Sequence, residues 1–458
     1  MLGEQALQKI FDSEIETYLQ DWKTFLEFRS VSTDPEFSGD CLACANWLRS
    51  HLEEIGFATQ LLETGTKPIV YGHYDAGENA PRLLFYGHYD VQPADPLDEW
   101  LSPPFTPELR DGRMYARGAQ DNKGQVMYFL KAVEALIRHA KLPVSLSVLI
   151  EGEEECGSGG IGDSLEKWKD LLQSGVLMVC DTGSHASEVC GITMGLRGIA
   201  GLTVTLSGPR TDLHSGVHGG VAPNPAAEMA KLLASLYDSS GRIAVEGYYD
   251  DVAEPNPQDI EIANAFEVPD EFYRAMSGVN PVGGEKGYTF AERRGFRPTI
   301  EINGVHSGYG GAGMKTIIPR DAIAKITTRI VPDQTGSRCL ELIERHLLEH
   351  APDGLILTVE EKDVGGSPLR TSSTSAVVQK ARTVLDVLPV GQVALIWEGA
   401  SIPIVARLAQ VSGAEPLLVG FGLEEDNIHA PNESFSLEQF RKGFLYVASF
   451  LSSFDSSS

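Results

Sequence analysis

Leu83-Leu84-Phe85-Tyr86-Gly87-His88-Tyr89-Asp90-Val91-Gln92-Pro93 is the stretch that decides how the chain is read. An apolar run of strand length ends in a His and an Asp two positions apart. Residues i and i+2 of a strand point to the same side. His88 and Asp90 therefore face one spot, just where Gln92-Pro93 turns the chain. An imidazole there suits a metal ion, with Asp90 placed to fix its tautomer from behind. The plain alternative is an exposed His in a loop after a strand. A second copy of the tetrapeptide, Gly72-His73-Tyr74-Asp75, has no long apolar run before it. It is read as a polar loop with no ligand role.

Around that stretch, strand patterns alternate with helix patterns. Apolar residues near a 3.6 period predict helices over residues 5–30, 40–55, 123–139 and 161–172. Strands are expected at 57–62, 68–72, 82–87, 144–150 and 176–180, and a Pro- and Gly-rich loop at 100–117. Such alternation implies an α/β domain with a mostly parallel, mixed sheet and helices on both faces. The texture changes at Gly195-Leu196-Arg197-Gly198. A strand at 199–206, a helix at 225–236, strands at 298–302 and 322–331, a helix at 336–349 and a strand at 355–360 read as a separate α+β layer. An irregular charged tract, 238–298, has helical patches near 257–276. Gly365-Gly366-Ser367-Pro368 reads as a second hinge. A helix at 372–388, strands at 393–396 and 417–421 and a helix at 436–452 resume the first style. Residues 197–366 are thus expected as a domain inserted into a split first domain, 1–196 and 367–458.

The chain has 458 residues, of which 42% are hydrophobic and 22% charged, enough to bury two sizeable cores. Its formal net charge is -27, which argues against a nucleic-acid partner, since phosphate binding needs clustered Lys and Arg. The N-terminal residues lack the order of a signal peptide, and no apolar run approaches about 18 residues, so no membrane span is expected. Six cysteines are too few for a disulfide scaffold of this length. Cys41 and Cys44 have metal-site spacing but sit in a helical pattern without a second pair, and are read as buried small hydrophobes. The cytoplasm is the default compartment.

Four further stretches place ligand-type residues where open α/β sheets carry their sites, at the carboxyl ends of strands. Asp121, in Arg117-Gly-Ala-Gln-Asp121-Asn-Lys-Gly124, precedes a helix and could be an ordinary N-cap. Glu151, Glu153, Glu154 and Glu155 crowd the end of a Val/Leu/Ile strand, where cations or protons must offset their repulsion. Asp181 ends an apolar strand, and His429 lies in Ile428-His-Ala-Pro-Asn-Glu433. A cap and a surface His are the plain alternatives for these two. Two His and several carboxylates from strand ends suit a pair of divalent ions about 3.5–4 Å apart, with one carboxylate bridging them and a neighbouring Glu free to move protons.

In order, these motifs and Asp212-Leu-His214-Ser-Gly resemble the zinc/manganese exopeptidase family of carnosinases, cytosolic dipeptidases, aminoacylases and glutamate carboxypeptidases. The resemblance covers nearly the whole chain. It implies metal-dependent hydrolysis of dipeptides or short peptides, with N-acyl amino-acid deacylation as the alternative, using two Zn2+ or Mn2+ ions per subunit. It further implies that Asp121 bridges both ions, that His88 and Asp181 complete one site, and that Glu155 and His429 complete the other. Asp90 supports the centre from behind, Glu154 activates the water, and the Asp121-Asn122 peptide is cis. The insertion becomes a lid and dimerisation domain of the long, dipeptidase type, and the protein a homodimer. Four more matches are substrate contacts. His214 would polarise the scissile carbonyl, while Thr316, Arg329 and Ser401 would hold the C-terminal carboxylate. Two departures stand out. Cys156 follows the Glu pair, and the segment after Asp181, Thr182 to Glu188, lacks an aromatic residue. Both bear on side-chain preference more than on metal chemistry. His185, near Asp181 in sequence, is read as a loop residue.

Overall fold

The computed structural model describes residues 2–184, 186–266 and 268–454. His185 lies outside them. The chain forms two compact units. The first comprises Met1–Met194, Thr371–Ile396 and Ile404–Ser458; the second comprises Gly195–Arg370 and Trp397–Pro403. The segment Trp397–Pro403 thus goes with the second unit, where the sequence reading kept it with the first.

The first unit is built on a mixed sheet. Its centre is parallel, in the order Ser145–Glu151, Arg82–His88, Val176–Val179, Glu415–Leu418. Ile69–Tyr74 and Ala58–Leu62 extend one side antiparallel, and Val189–Leu196 joins the other side antiparallel. A strand with parallel neighbours on both sides is covered on both faces, so it reads as a continuous apolar run and not as an alternation. That is why Leu83 to Tyr86 is uninterrupted; its neighbour Ser145–Glu151, antiparallel to Ile69–Tyr74 on its far side, is also buried at every residue. The register sets His88 opposite Glu151. The loops after these two strands therefore leave the sheet side by side.

The helix Lys123–His139 is buried nearly all round, from Lys123 to Leu136. It packs against Glu4–Glu27 and Leu437–Ser452. Phe85 of the central strand stacks on Phe129, and Trp22 stacks on Phe440. Helix Ser38–Ile55 ends at Gly56, whose φ of 107° is the left-handed stop that glycine permits. It buries Cys41 and Cys44 completely.

Several local expectations need correcting. The second Gly-His-Tyr-Asp copy is not a loop, because Ile69–Tyr74 is one strand, pairing on both sides. His73 sits 3.1 Å from Ser147 Oγ within that sheet. The 100–117 stretch contains a hairpin, Glu108–Arg110 with Arg113–Tyr115, joined by Asp111-Gly112. Both turn residues have positive φ, 47° and 74°, as a tight two-residue hairpin requires. Ser434–Ser436 adds a third strand to it. The helix expected over 161–172 is three short pieces, Gly159–Ser164, Leu165–Trp168 and Lys169–Leu172. Three glycines at its start weaken any continuous helix. Strand Val189–Leu196 and helix Val405–Ser412 had no sequence expectation.

In the second unit, four strands form an antiparallel sheet ordered Thr299–Ser307, Asp321–Ile330, Gly198–Ser207, Ile356–Val364. Gly198–Ser207 alternates buried and half-exposed residues throughout. Its inward set, Ala200, Leu202, Val204 and Leu206, shares a core with Met229 and Leu232 of helix Pro225–Ala234 and with Leu340, Ile343 and Leu347 of helix Gly336–Glu349. Asn224 caps the first helix through Ala226 N at 3.0 Å, with Pro225 at its first position.

Candidate metal centre

Five loops of the first unit carry ligand-type side chains to one place. His88 ends the central strand, Asp121 precedes the buried helix, Glu155 lies in the turn after Ser145–Glu151, and Asp181 follows Val176–Val179. His429 sits in a tight loop with a φ of 60°. Two groups result, His88 with Asp121 and Asp181, and Asp121 with Glu155 and His429. In each, ligand atoms lie within 4.8 Å of one another. Asp121 belongs to both. Its Oδ1 is 3.1 Å from His88 Nε2 and its Oδ2 is 2.9 Å from His429 Nε2. His88 Nε2 is 3.7 Å from Asp181 Oδ2, and His429 Nε2 is 3.3 Å from Glu155 Oε2.

These spacings test whether ions fit. Two ligands each about 2.0–2.1 Å from a tetrahedral ion sit about 3.3 Å apart. The four distances, 2.9 to 3.7 Å, bracket that value. The tautomer agrees. His88 Nδ1 lies 3.0 Å from the Asp90 carbonyl, which can only accept, so Nδ1 carries the proton. The Nε2 lone pair of a neutral ring then points at carboxylates and needs a cation between. Without one, both rings must protonate. Burial pulls His88 down, but hydrogen bonds to Asp121 and Asp90 prevail and hold it well above the ordinary His value. Hydrogen bonds to Asp121 and Glu155 lift His429 to about 10. Burial lifts Asp181 to about 7, His88 opposing and Asp121 reinforcing. Glu154 is pushed well above the carboxylate range by burial, with His88 opposing and Asp181 and Asp121 adding to it.

Supporting side chains hold the arrangement. Asp90 is fully buried and accepts from both Glu154 N (3.2 Å) and Glu155 N (3.1 Å). Its Oδ1 also lies 3.3 Å from His88 Nδ1, so one carboxylate steadies both His88 and the turn that carries the Glu pair. Asn122, at the start of the buried helix, ties two strand ends together, donating to Asp181 Oδ1 at 2.8 Å and to Cys180 O at 3.0 Å while accepting from His88 N at 3.3 Å. The Asp121-Asn122 peptide is cis. Gln92 donates to Glu155 Oε2 at 2.8 Å. Sequence reasoning gave neither Gln92 nor the Asn122 side chain a role. Gln92 immediately follows the His-x-Asp and was open to such a reading, whereas the hydrogen bonds of Asn122 exist only once the strands meet.

The four expected substrate contacts lie in the second unit and form two pairs there. Leu213–His214 pairs with Ile317–Ile318, and Ser215 N donates to Thr316 O at 3.0 Å, so His214 and Thr316 are neighbours. His214 Nδ1 accepts from Gly216 N at 3.0 Å, which leaves Nε2 as the proton-bearing nitrogen of the neutral ring. Arg329 donates to Ser401 Oγ at 2.9 Å, and Ser401 donates to Arg197 O at 2.6 Å. Arg329 is half-buried and has no salt bridge among the described residues. A guanidinium so placed is open to a carboxylate.

Comparison with known proteins gives consistent matches. The sequence model of Peptidase family M20/M25/M40 matches residues 84–453. A protein of Candida albicans, Cys-Gly metallodipeptidase DUG1, is 29% identical, covering 97% of this chain and 96% of its own length. The human Beta-Ala-His dipeptidase is 28% identical, covering 97% and 92%. Among solved structures, the M20 family metallo-carboxypeptidase Sso-CP2 from Sulfolobus solfataricus superposes with a TM-score of 0.84 at 30% identity, over 95% of this chain and 99% of that one.

Proposed function

The chain belongs to peptidase family M20/M25/M40, and from that premise we propose that it is a metal-dependent dipeptidase. Relatives named as dipeptidases along nearly its full length support the substrate class. The observation that carries the chemistry is Asp121, whose two oxygens face His88 and His429 separately. His88, Asp121 and Asp181 would hold one divalent ion, Zn2+ or Mn2+, and Asp121, Glu155 and His429 would hold a second. Such ions polarise a peptide carbonyl and acidify water at neutral pH.

The protein's own groups do the rest. Glu154 takes a proton from the attacking water and gives it to the departing amine. Burial, with Asp181 and Asp121 beside it, raises the affinity of Glu154 for a proton, as suits a group that must accept one. Asp90 and Asn122 keep the ligand strands in register, and Gln92 aims Glu155. Arg329, steadied by Ser401, takes the substrate's C-terminal carboxylate together with Thr316. His214 donates from Nε2 to the scissile carbonyl as charge develops there. We assign the second unit as lid and dimerisation domain, with His214 serving the site of the other subunit in a homodimer. Sedimentation of a fully active monomer would contradict that assembly. Among the described residues no helix is long and apolar enough to cross a membrane. The described cysteines are unpaired, which accords with a cytoplasmic setting.

The test is a panel of free dipeptides and N-acetyl amino acids, given to protein reconstituted with Zn2+ or Mn2+. Hydrolysis of free dipeptides is expected. Turnover confined to N-acetyl amino acids would make the protein a deacylase instead.

A further inference from the structure

We propose that Glu433 is the positioning residue that fixes the direction of the Asp121 carboxylate, and through it both ion sites. This rests on the ligand set proposed above. Glu433 is 1% exposed and its carboxylate spans the whole loop that leads to Asp121. Oε2 accepts from Gly118 N at 2.8 Å and from Arg117 Nη1 at 2.7 Å. Oε1 accepts from Gln120 N at 3.0 Å and from Asp121 N at 3.1 Å. Its main-chain carbonyl accepts from Ala116 N at 3.1 Å. Four donors use the four lone-pair directions of a carboxylate. Glu433 therefore has no capacity left to bind an ion or to move a proton, which separates it from the ligands and from Glu154.

Its place in the chain gives the contacts their meaning. Glu433 lies four residues after His429, in a loop held on its other side by Asn432. That side chain accepts from Leu101 N at 2.8 Å and donates to Glu99 O at 2.9 Å. Glu433 thus joins the loop of one candidate ligand, His429, to the loop of the shared one, Asp121. Asp121 must present one oxygen to each imidazole, and a small rotation of its backbone would spoil one side or both. Holding the Asp121 N–H, together with two others in the same loop, sets that rotation. A Gln at 433 cannot do the same, because its NH2 would face donors in either orientation, Gly118 N–H and Arg117 in one and the N–H groups of Gln120 and Asp121 in the other. An Asp keeps the charge but is one methylene short of all four donors.

The experiment measures Zn2+ and Mn2+ affinity by chelator competition for wild type, Glu433→Gln, Glu433→Asp and the comparator Glu134→Gln. Melting temperatures of the metal-free proteins, and kcat and KM at saturating metal, accompany it. Glu134 is another buried acid in an ion pair, with Lys131, at the far end of the helix that follows Asp121. Supporting groups behind metal ligands are worth about 10–100-fold in affinity. A loss of that size is expected in Glu433→Gln, a smaller one in Glu433→Asp, with dipeptide KM unchanged at saturating metal. Glu134→Gln should lower the melting temperature with wild-type metal affinity. Should Glu433→Gln fail to fold, Glu433→Asp decides. Wild-type affinity in the Glu433 variants, with only the melting temperature lowered, would make Glu433 a merely structural residue and overturn the proposal. A wild-type protein that binds neither ion would instead bring down the ligand set itself.

Discussion

Glu154 and Glu155 are neighbours with different surroundings. Glu155 meets His429 and Gln92, whereas burial holds Glu154 high, with His88 opposing and Asp181 and Asp121 adding to it. Replacing Glu154 by Gln keeps the shape and removes the proton acceptor. The variant should bind metal as wild type does and lose kcat by roughly 10²–10⁴-fold, the range for general acid–base groups. Metal titration and steady-state kinetics on the same sample check this, and near-normal turnover would remove Glu154 from its role. Arg329→Met tests the other end of the substrate. Loss of charge-assisted hydrogen bonds is worth about 1.5–3 kcal/mol. KM for dipeptides should therefore rise about ten- to a hundredfold, while kcat moves less. An unchanged KM would place the carboxylate elsewhere.

At the scale of elements, the ligands depend on how tightly a helix start is pressed under a loop. A Cβ on Gly124 would lie 2.0 Å from the Ala119 carbonyl oxygen, a backbone atom that cannot swing aside. Gly124→Ala should push the 117–121 loop outward. Overpacking of this kind costs about 1–3 kcal/mol, visible as a lower melting temperature together with weaker metal binding. Where three helices meet, His51 lies 3.2 Å from Lys131, which also contacts Asp21 and Glu134. Burial, then Lys131, depresses His51 to about 4 from 6.5. Between those values the unfolded chain binds a proton that the folded one refuses, so this site contributes stability above pH 6.5 that is lost as pH falls towards 4. His51→Gln should flatten the pH dependence of the melting temperature in that window. An unaltered slope would mean that His51 does not titrate there.

The strands and helices that could be read in the sequence were those whose burial repeats along the chain. Leu83 to Tyr86 and Val126 to Leu136 are examples. Elements defined by what they meet were not legible. The hairpin at Asp111-Gly112 announced itself only by its turn, and Val189–Leu196 depends on partners far along the chain. His88, Asp181 and the run Glu151 to Glu155 drew notice because ligand-type residues where apolar strands end are costly without a use. Asp121 read equally as a helix cap and His429 as a surface His, and only the family resemblance picked them, and Glu155 over Glu154, as ligands. Asn122, Gln92 and Glu433 act through hydrogen bonds that no periodicity records.

For the whole molecule, the balance of charge matters. The chain carries a net charge of -27, and its first unit gathers carboxylates of the Asp121 centre into a partly buried cluster. Bound cations offset that repulsion and favour the folded state by mass action, by about 4 kcal/mol at a thousandfold excess over the dissociation constant. Chelation should therefore lower the melting temperature by several degrees, and Zn2+ or Mn2+ should restore it. A melting temperature indifferent to chelator would mean that folding does not rely on the ions. The second unit shows how far apart in sequence its members lie, with Ser401 returning to meet Arg197 and Arg329. Such a return is set by tertiary contact and leaves no mark in local composition. The central claim is that one carboxylate, Asp121, is shared by two ions. Anomalous diffraction from crystals of the Zn2+- or Mn2+-loaded protein tests it most directly. Two peaks are predicted, one between Asp121, His88 and Asp181 and one between Asp121, Glu155 and His429; a single peak, or none touching Asp121, would contradict it.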